Sequence, residues 1–126
     1  MTNRKFYLLI NEFTQLSNAG SLQLAGDSAL VCRFDQCSVR VENGERLGLK
    51  GQILLITKLD TSSLDAIQAL KLNTDFKLTA DGYIAQINEG EYEYIRHVLL
   101  PEHPQELLRL LNEFVVQTTF LHDEIE

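Results

Sequence analysis

The stretch TSSLDAIQALKLN, residues 61–73, organises the chain because it predicts one short helix between two groups of strands. Ser62 and Ser63 can each cap its start, since a hydroxyl oxygen accepts a hydrogen bond from a free backbone N–H of the first turn. Asn73 can adopt the left-handed conformation that closes such a helix. The stretch therefore predicts a helix from Thr61 to Asn73.

The two faces of this predicted helix suggest different roles. At about 100° per residue, one broad arc can cover a sheet, and it consists of Ala66, Ile67, Ala69 and Leu70. Leu64 and Leu72 point away from that arc. They are either scattered surface leucines or a second packing surface, most simply for another copy of the same chain. The second interpretation predicts a homodimer with Leu64 and Leu72 at or near its interface.

Length and composition predict a single globular domain over residues 1–126. This length is sufficient for a hydrophobic core, and the hydrophobic fraction of 44% and charged fraction of 23% are ordinary. The formal net charge is −7. Binding to a phosphate backbone needs clustered Lys and Arg, so we expect no nucleic-acid partner. An acidic surface suits a basic or amphipathic protein instead.

The N-terminal residues and the cysteines predict a cytoplasmic protein. The first helix contains Asn11 and Glu12, unlike the uninterrupted apolar core of a signal peptide. No apolar run approaches the ~20 residues of a membrane span, so we expect no membrane partner. Cys32 and Cys37 have no metal-binding spacing. One disulfide is conceivable, but we interpret them as buried thiols on adjacent strands.

Helical periodicity is clear at both ends of the chain. The first helix is predicted from Thr2 to about Ser17, with a core stripe of Phe6, Leu9, Ile10, Phe13 and Leu16. Leu8 lies off that stripe. Pro104 is well placed to begin the last helix, with a main stripe of Leu107, Leu111, Phe114, Thr118, Leu121 and Ile125. Both helices are therefore predicted to cover a common core.

Alternating apolar residues predict the strands before the central helix. Two strands cover residues 29–34 and 38–42, and a third ends near Thr57. Asn43-Gly44 is a strong hairpin signal. An odd-length loop would pair Val41 with Leu47 and keep the leucines on the buried face, so we predict that register.

A second group of strands is predicted after the central helix. Residues 76–80 and 83–88 form a hairpin around Asp81-Gly82, and Glu89-Gly90 leads into a strand that ends near Leu99. In this register Tyr83, Ala85, Tyr92 and Tyr94 face the core, whereas Ile84 lies opposite Ile95 on the other face. The element order is α-β-β-β-α-β-β-β-α, and the fold class is α+β.

Sequence signatures of catalysis are absent. We find no Gly-x-Ser-x-Gly, P-loop, Rossmann or zinc-binding motif. His97 and Glu93 lie four residues apart on one predicted strand face, and a histidine with a carboxylate is the minimum pair for acid–base chemistry. An exposed strand histidine is the simpler interpretation. We therefore expect no enzymatic activity, no cofactor and no metal.

The order of these elements, together with the size and acidity, resembles the class I chaperones of bacterial type III secretion systems. The local matches are Arg33-Phe34-Asp35 before a hairpin, Ala69-Leu70-Lys71-Leu72-Asn73, Gly82-Tyr83-Ile84-Ala85-Gln86-Ile87, and Glu106-Leu107-Leu108 through Glu113-Phe114-Val115. Each match is a loose apolar pattern, and together they extend over nearly the whole chain.

This resemblance implies a small acidic homodimer with a twisted antiparallel sheet, packed by helices and without enzymatic activity. Its partner would be the N-terminal region of a secreted effector, held extended and competent for secretion. An adaptor or regulator that binds another component of the secretion apparatus is the alternative. An extended peptide adds to a sheet edge and places side chains in apolar pockets. The predicted effector-binding residues are the apolar ones outside the core stripes, namely Leu8, Ile84, Ile95 and Leu99.

Overall fold

A computed structural model describes residues 2–15, 21–24, 29–34, 37–59 and 63–125. The helices in this part of the chain are α1 (Thr2–Thr14), α2 (Ala66–Leu72), α3 (Phe76–Thr79) and α4 (Pro104–Ile125). The strands are β1 (Ser21–Leu24), β2 (Ala29–Arg33), β3 (Ser38–Asn43), β4 (Gln52–Leu59), β5 (Tyr83–Asn88) and β6 (Glu91–Leu99). They form an antiparallel sheet in the order β1-β2-β3-β4-β6-β5. Strand β1 was not predicted from the sequence.

The hydrophobic core lies between one face of the sheet and helices α1 and α4. Both predicted helix stripes are buried wherever they are described, and Leu16 lies outside the described residues. The sheet contributes alternate residues of its central strands: Val39 and Val41 from β3, Ile53 and Leu55 from β4, and Tyr92 and Tyr94 from β6. Among the described residues, no helix is long and apolar enough to cross a membrane.

The predicted register of the first hairpin is wrong. Val41 pairs with Leu55 instead of Leu47. The reason is a short 3₁₀ helix, Gly44–Leu47, which begins directly after β3. The Asn43 side chain caps it by accepting a hydrogen bond from the Glu45 N–H at 3.1 Å. The returning strand therefore begins only at Gln52.

The second hairpin differs from the prediction in two ways. Residues 76–79 form the single turn α3, not a strand, and the side chain of Phe76 is 75% exposed. Ile84 pairs with Tyr94, and Tyr83 pairs with Ile95, so the predicted pairing of Ile84 with Ile95 is wrong. The turn at Glu89-Gly90 is placed as predicted, since Asn88 pairs with Glu91, but a register shift between Gln86 and Asn88 inserts one residue. A one-residue shift moves every later side chain to the opposite face.

The central helix is shorter than predicted, and its buried face is different. It begins at Ala66 because Asp65 is the N-cap, whose carboxylate accepts a hydrogen bond from the Gln68 N–H at 2.8 Å. Ser62, one of the predicted caps, lies outside the described residues. Leu64 therefore precedes the helix and is buried, at 7% exposure, while Ile67 and Leu70 are 68% and 69% exposed. The predicted arc of Ile67 and Leu70 over the sheet is wrong.

The two cysteines are free thiols, as predicted, but only Cys32 is buried and Cys37 is half-buried. Burial raises the pKa of the Cys32 thiol to about 12, and burial also raises the pKa of Cys37, while a hydrogen bond with Thr57 lowers it. At pH 8 roughly one Cys32 in ten thousand would be a thiolate, and the thiolate is the reactive form. We expect a thiol reagent to modify Cys37 slowly and Cys32 only after unfolding.

This prediction is checked by mass spectrometry of the native protein after labelling, with the denatured protein as the control. A reducing agent should leave the melting temperature unchanged, because no disulfide is lost. Rapid modification of Cys32 in the native protein would contradict the buried position of its thiol.

Candidate partner-binding surfaces

The face of the sheet away from α1 and α4 carries apolar side chains. Leu54 and Ile56 of β4 lie on it and are only 5% and 7% exposed. Their cross-strand neighbours on β6 are His97 and Ile95, and Tyr83 of β5 pairs with Ile95 in turn. Ile95 is half-buried and Tyr83 is 38% exposed. We call this side of the sheet the open face because neither α1 nor α4 packs on it. It carries an apolar strip across strands β4, β6 and β5, which is buried on β4 and more exposed on β5.

Charged residues border the open face on the β3 side. Arg40 and Glu42 lie two residues apart on one face of that strand, and their side chains form an ion pair. Arg40 pairs across the sheet with Ile56, and Glu42 pairs with Leu54. The ion pair thus lies beside the apolar strip.

A cleft of about 400 Å³ lies between α1 and the chain that follows β6. Leu8 and the charged residues Lys5 and Glu12 line its helix side, while Leu100 and Pro101 line the other. Leu8 is 51% exposed. The Leu100 N–H donates to the Gly51 carbonyl oxygen at 2.8 Å, which fixes the position of the second wall. The cleft can take an apolar side chain whose neighbours are polar.

The four predicted effector-binding residues do not share one surface. Leu8 lies in the cleft, and Leu99, which is 77% exposed, directly precedes Leu100 of the cleft wall. Ile95 lies on the open face. Ile84 is 5% exposed and joins Tyr94 on the helix-covered face. Leu8, Ile95 and Leu99 therefore remain candidates for partner binding, on two separate surfaces, whereas the prediction for Ile84 is wrong because its side chain is buried in the core.

A second apolar surface lies on the outer side of α2. Ile67 and Leu70 are three residues apart, so their side chains share one face of that helix. Phe76 of α3, a short distance along the chain, is also largely exposed. Leu72 is half-buried against the core, and Leu64 belongs to it. Apolar side chains at this exposure suit a protein partner.

Three further residues that could contact a partner were not predicted from the sequence. Val116 and Phe120 of α4 are 55% and 59% exposed, and they could have been recognised as apolar residues outside the core stripe. Arg96 is 8% exposed and shares the core-facing row of β6 with Tyr92 and Tyr94. The sequence signal for Arg96 was its position, as a basic residue, in an alternating row of core-facing side chains.

The histidine–carboxylate hypothesis receives no support from the contacts of His97. This side chain is exposed, its Nδ1 lies 2.9 Å from Oε1 of Gln52, and its ring contacts the ring of Tyr83 edge-on. Within the described residues, no group of three or more His, Cys, Asp or Glu side chains could hold a metal ion. The neighbours of His97 are thus an amide and a phenol on a solvent-facing strand.

Comparison with known proteins places the fold. No protein-family model and no curated protein matches the chain. A solved structure does match: a chain of the HopA1-SchA chaperone-effector complex, with a TM-score of 0.73 and 13% sequence identity. The match covers 98% of this chain and 97% of that chain. The predicted α+β fold is therefore confirmed, and it is the fold of a chain of that chaperone-effector complex.

Proposed function

We propose that this protein is a type III secretion chaperone. It binds the N-terminal region of a secreted effector in extended form and keeps that effector stable and competent for secretion in the bacterial cytoplasm. The observation that carries the proposal is the fold match over 98% of the chain to a chain of a chaperone–effector complex. The same likeness supports a binding protein over an enzyme.

The geometry suits an extended protein segment. Strands β1 and β5 form the two edges of the described sheet, where a further strand can be added. On β5 the Asn73 side chain already occupies both backbone groups of Ile84, so an added strand would pair beyond that residue. The cleft beside Leu8 and the exposed Leu99 can take alternate side chains of such a segment. Ordering a disordered segment costs free energy, so several separate apolar contacts are needed to offset it.

We also propose that the protein is a homodimer that associates through the outer face of α2. Ile67 and Leu70 replace Leu64 and Leu72 at the centre of the proposed interface, because the last two pack against the core of their own chain. A two-fold interface places the same patch of both copies in contact, so the two helices would face each other.

Substitution of Leu8 and Leu99 by aspartate should weaken effector binding by about tenfold or more, which is about 1.4 kcal/mol. Both side chains are more than half exposed, so the free protein should keep its melting temperature, as surface substitutions usually do. The protein encoded beside this gene is the first effector to test. Its N-terminal segment alone should bind, and calorimetry measures the affinity.

Asn11→Asp with Gln105→Asp is the matched control, because both residues are exposed and the variant adds the same charge without removing apolar surface. Equal affinity of the Leu8→Asp, Leu99→Asp variant and this control would remove the cleft from the binding site. A partner that binds only through a folded domain, and not through its N-terminal segment, would favour the adaptor function instead.

A further inference from the structure

Arg96 is a buried cation with few partners. Its side chain lies on the helix-covered face of the sheet, with Cζ 5.8 Å from the centre of the Phe114 ring. Nη2 donates to the hydroxyl oxygen of Tyr94 at 3.1 Å, and that hydroxyl donates to the carbonyl oxygen of Thr79 at 2.6 Å. Nε is enclosed and has no hydrogen-bond partner among the residues that the structure describes.

The positive charge of Arg96 has no ion-pair partner in the described part of the chain. A buried charge without a partner destabilises a fold, whereas a charge that meets a carboxylate gains short, strong hydrogen bonds. The free protein therefore keeps an arginine that a structural role alone would not require.

The Arg96 side chain lines an open cavity of about 470 Å³ between β6 and α4. We call this the Arg96 pocket; its other lining residues are Ala80, Asn112, Glu113, Val116 and Gln117. Glu113 is engaged by Arg109, whose Nη1 lies 2.8 Å from its Oε1. The amide of Gln117 is held by the carbonyl oxygens of Lys77 and Leu78, which ties α3 to α4.

One wall of the Arg96 pocket has an unusual backbone. Ala80 has a φ of 52°, and it is the only residue other than glycine with a positive φ among those described. Strained residues of this kind collect at binding and catalytic sites, where the surrounding structure holds them in place. The strain at Ala80 and the unpaired charge of Arg96 thus occur together at one cavity.

We propose that the Arg96 pocket binds a carboxylate side chain, Asp or Glu, of the bound protein segment. The guanidinium offers parallel N–H donors that match the two oxygens of a carboxylate, and the amide of the exposed Asn112 lies in the same wall. This inference rests on the proposed function, since it names one recognition element of the segment.

The surroundings favour a protein segment over a free anion. Val116 and Phe120 are four residues apart on α4 and largely exposed, so they can contact apolar neighbours of the acidic residue. A cavity of this volume exceeds what one carboxylate needs. The net charge of −7 disfavours a polyanion such as a nucleic acid. A largely neutral or basic segment with one acidic residue fits best.

Selection from a random peptide library tests the proposal with a defined probe. Peptides that bind the wild-type protein should carry Asp or Glu at one fixed position, and the selected peptide should bind the Arg96→Met variant about tenfold or more weakly. Arg96→Met should keep or raise the melting temperature, because it removes an unpaired buried charge. Arg33→Met, at an exposed arginine of β2, is the control and should bind like the wild type.

Binders without an acidic position, and with equal affinity for Arg96→Met, would overturn the proposal and leave the chaperone function standing. A library that yields no binders would overturn the chaperone function, and with it the proposal that a bound protein segment supplies the carboxylate. A change of oligomeric state in Arg96→Met would assign the carboxylate to a second copy and also overturn the proposal.

A second measurement needs no variant. In the wild-type protein, the Nε–H resonance of Arg96 should shift in an NMR titration with sodium acetate, compared with sodium chloride at equal ionic strength. The Nε–H of the exposed Arg33 should respond equally to both salts. An Arg96 resonance that does not distinguish acetate from chloride would overturn carboxylate binding at this pocket.

Discussion

Replacement of Ile67 and Leu70 together by aspartate is expected to convert the protein from a dimer into a folded monomer. Both side chains are about two-thirds exposed on the outer face of α2, so in the free chain their replacement exposes no core. In a dimer the same positions would bury four uncompensated charges, which costs several kcal/mol per pair. Light scattering measures the mass, and circular dichroism with thermal unfolding confirms that the monomer is folded.

Leu64→Asp is the contrasting variant. Leu64 is 7% exposed and belongs to the core of its own chain, so a carboxylate there is desolvated whether or not a dimer forms. A small domain has only about 5–15 kcal/mol of stability, and we expect this variant to be largely unfolded. A dimer that survives the Ile67→Asp, Leu70→Asp change at full stability would exclude α2 as the interface. A folded, monomeric Leu64→Asp variant would instead indicate that Leu64 lies in the dimer interface.

Ile84→Ala is expected to lower the free energy of unfolding by about 2–5 kcal/mol, as for other large-to-small changes in a core. Ile84 is 5% exposed, and both of its backbone groups are held by the Asn73 side chain. Urea unfolding measures the loss, with an unchanged slope as the sign that the unfolded state is the same.

Ile95→Ala is the matched control on the same hairpin. Ile95 lies on the open face and is only half-buried, so the same change should lower the stability by less and weaken partner binding by more. An Ile84→Ala variant as stable as the wild type would imply that the hairpin has no register shift and that Ile84 faces outward, as the simple alternation predicts.

The sequence alone determined the long and strongly periodic parts of this protein. The stripes of α1 and α4 are correct because a helix of several turns repeats its apolar face, and the repeats agree with one another. The strand positions in β2, β3, β5 and β6 and the α+β class were predicted for the same reason. Where many residues carry one signal, a single irregularity does not change the interpretation.

The tertiary structure decided which face each short element buries. A strand was predicted over residues 76–80, where the helical turn α3 forms, and one inserted residue near Ile87 reversed the faces of β5. Helix α2 has seven residues with apolar side chains on both sides, so only the cap at Asp65 and the burial of Leu64 select its orientation. The exposure of Ile67 and Leu70 follows from the orientation of α2. Periodicity cannot decide which face of a short element is buried, because a shift of one residue changes the apolar pattern little and moves every side chain to the other face.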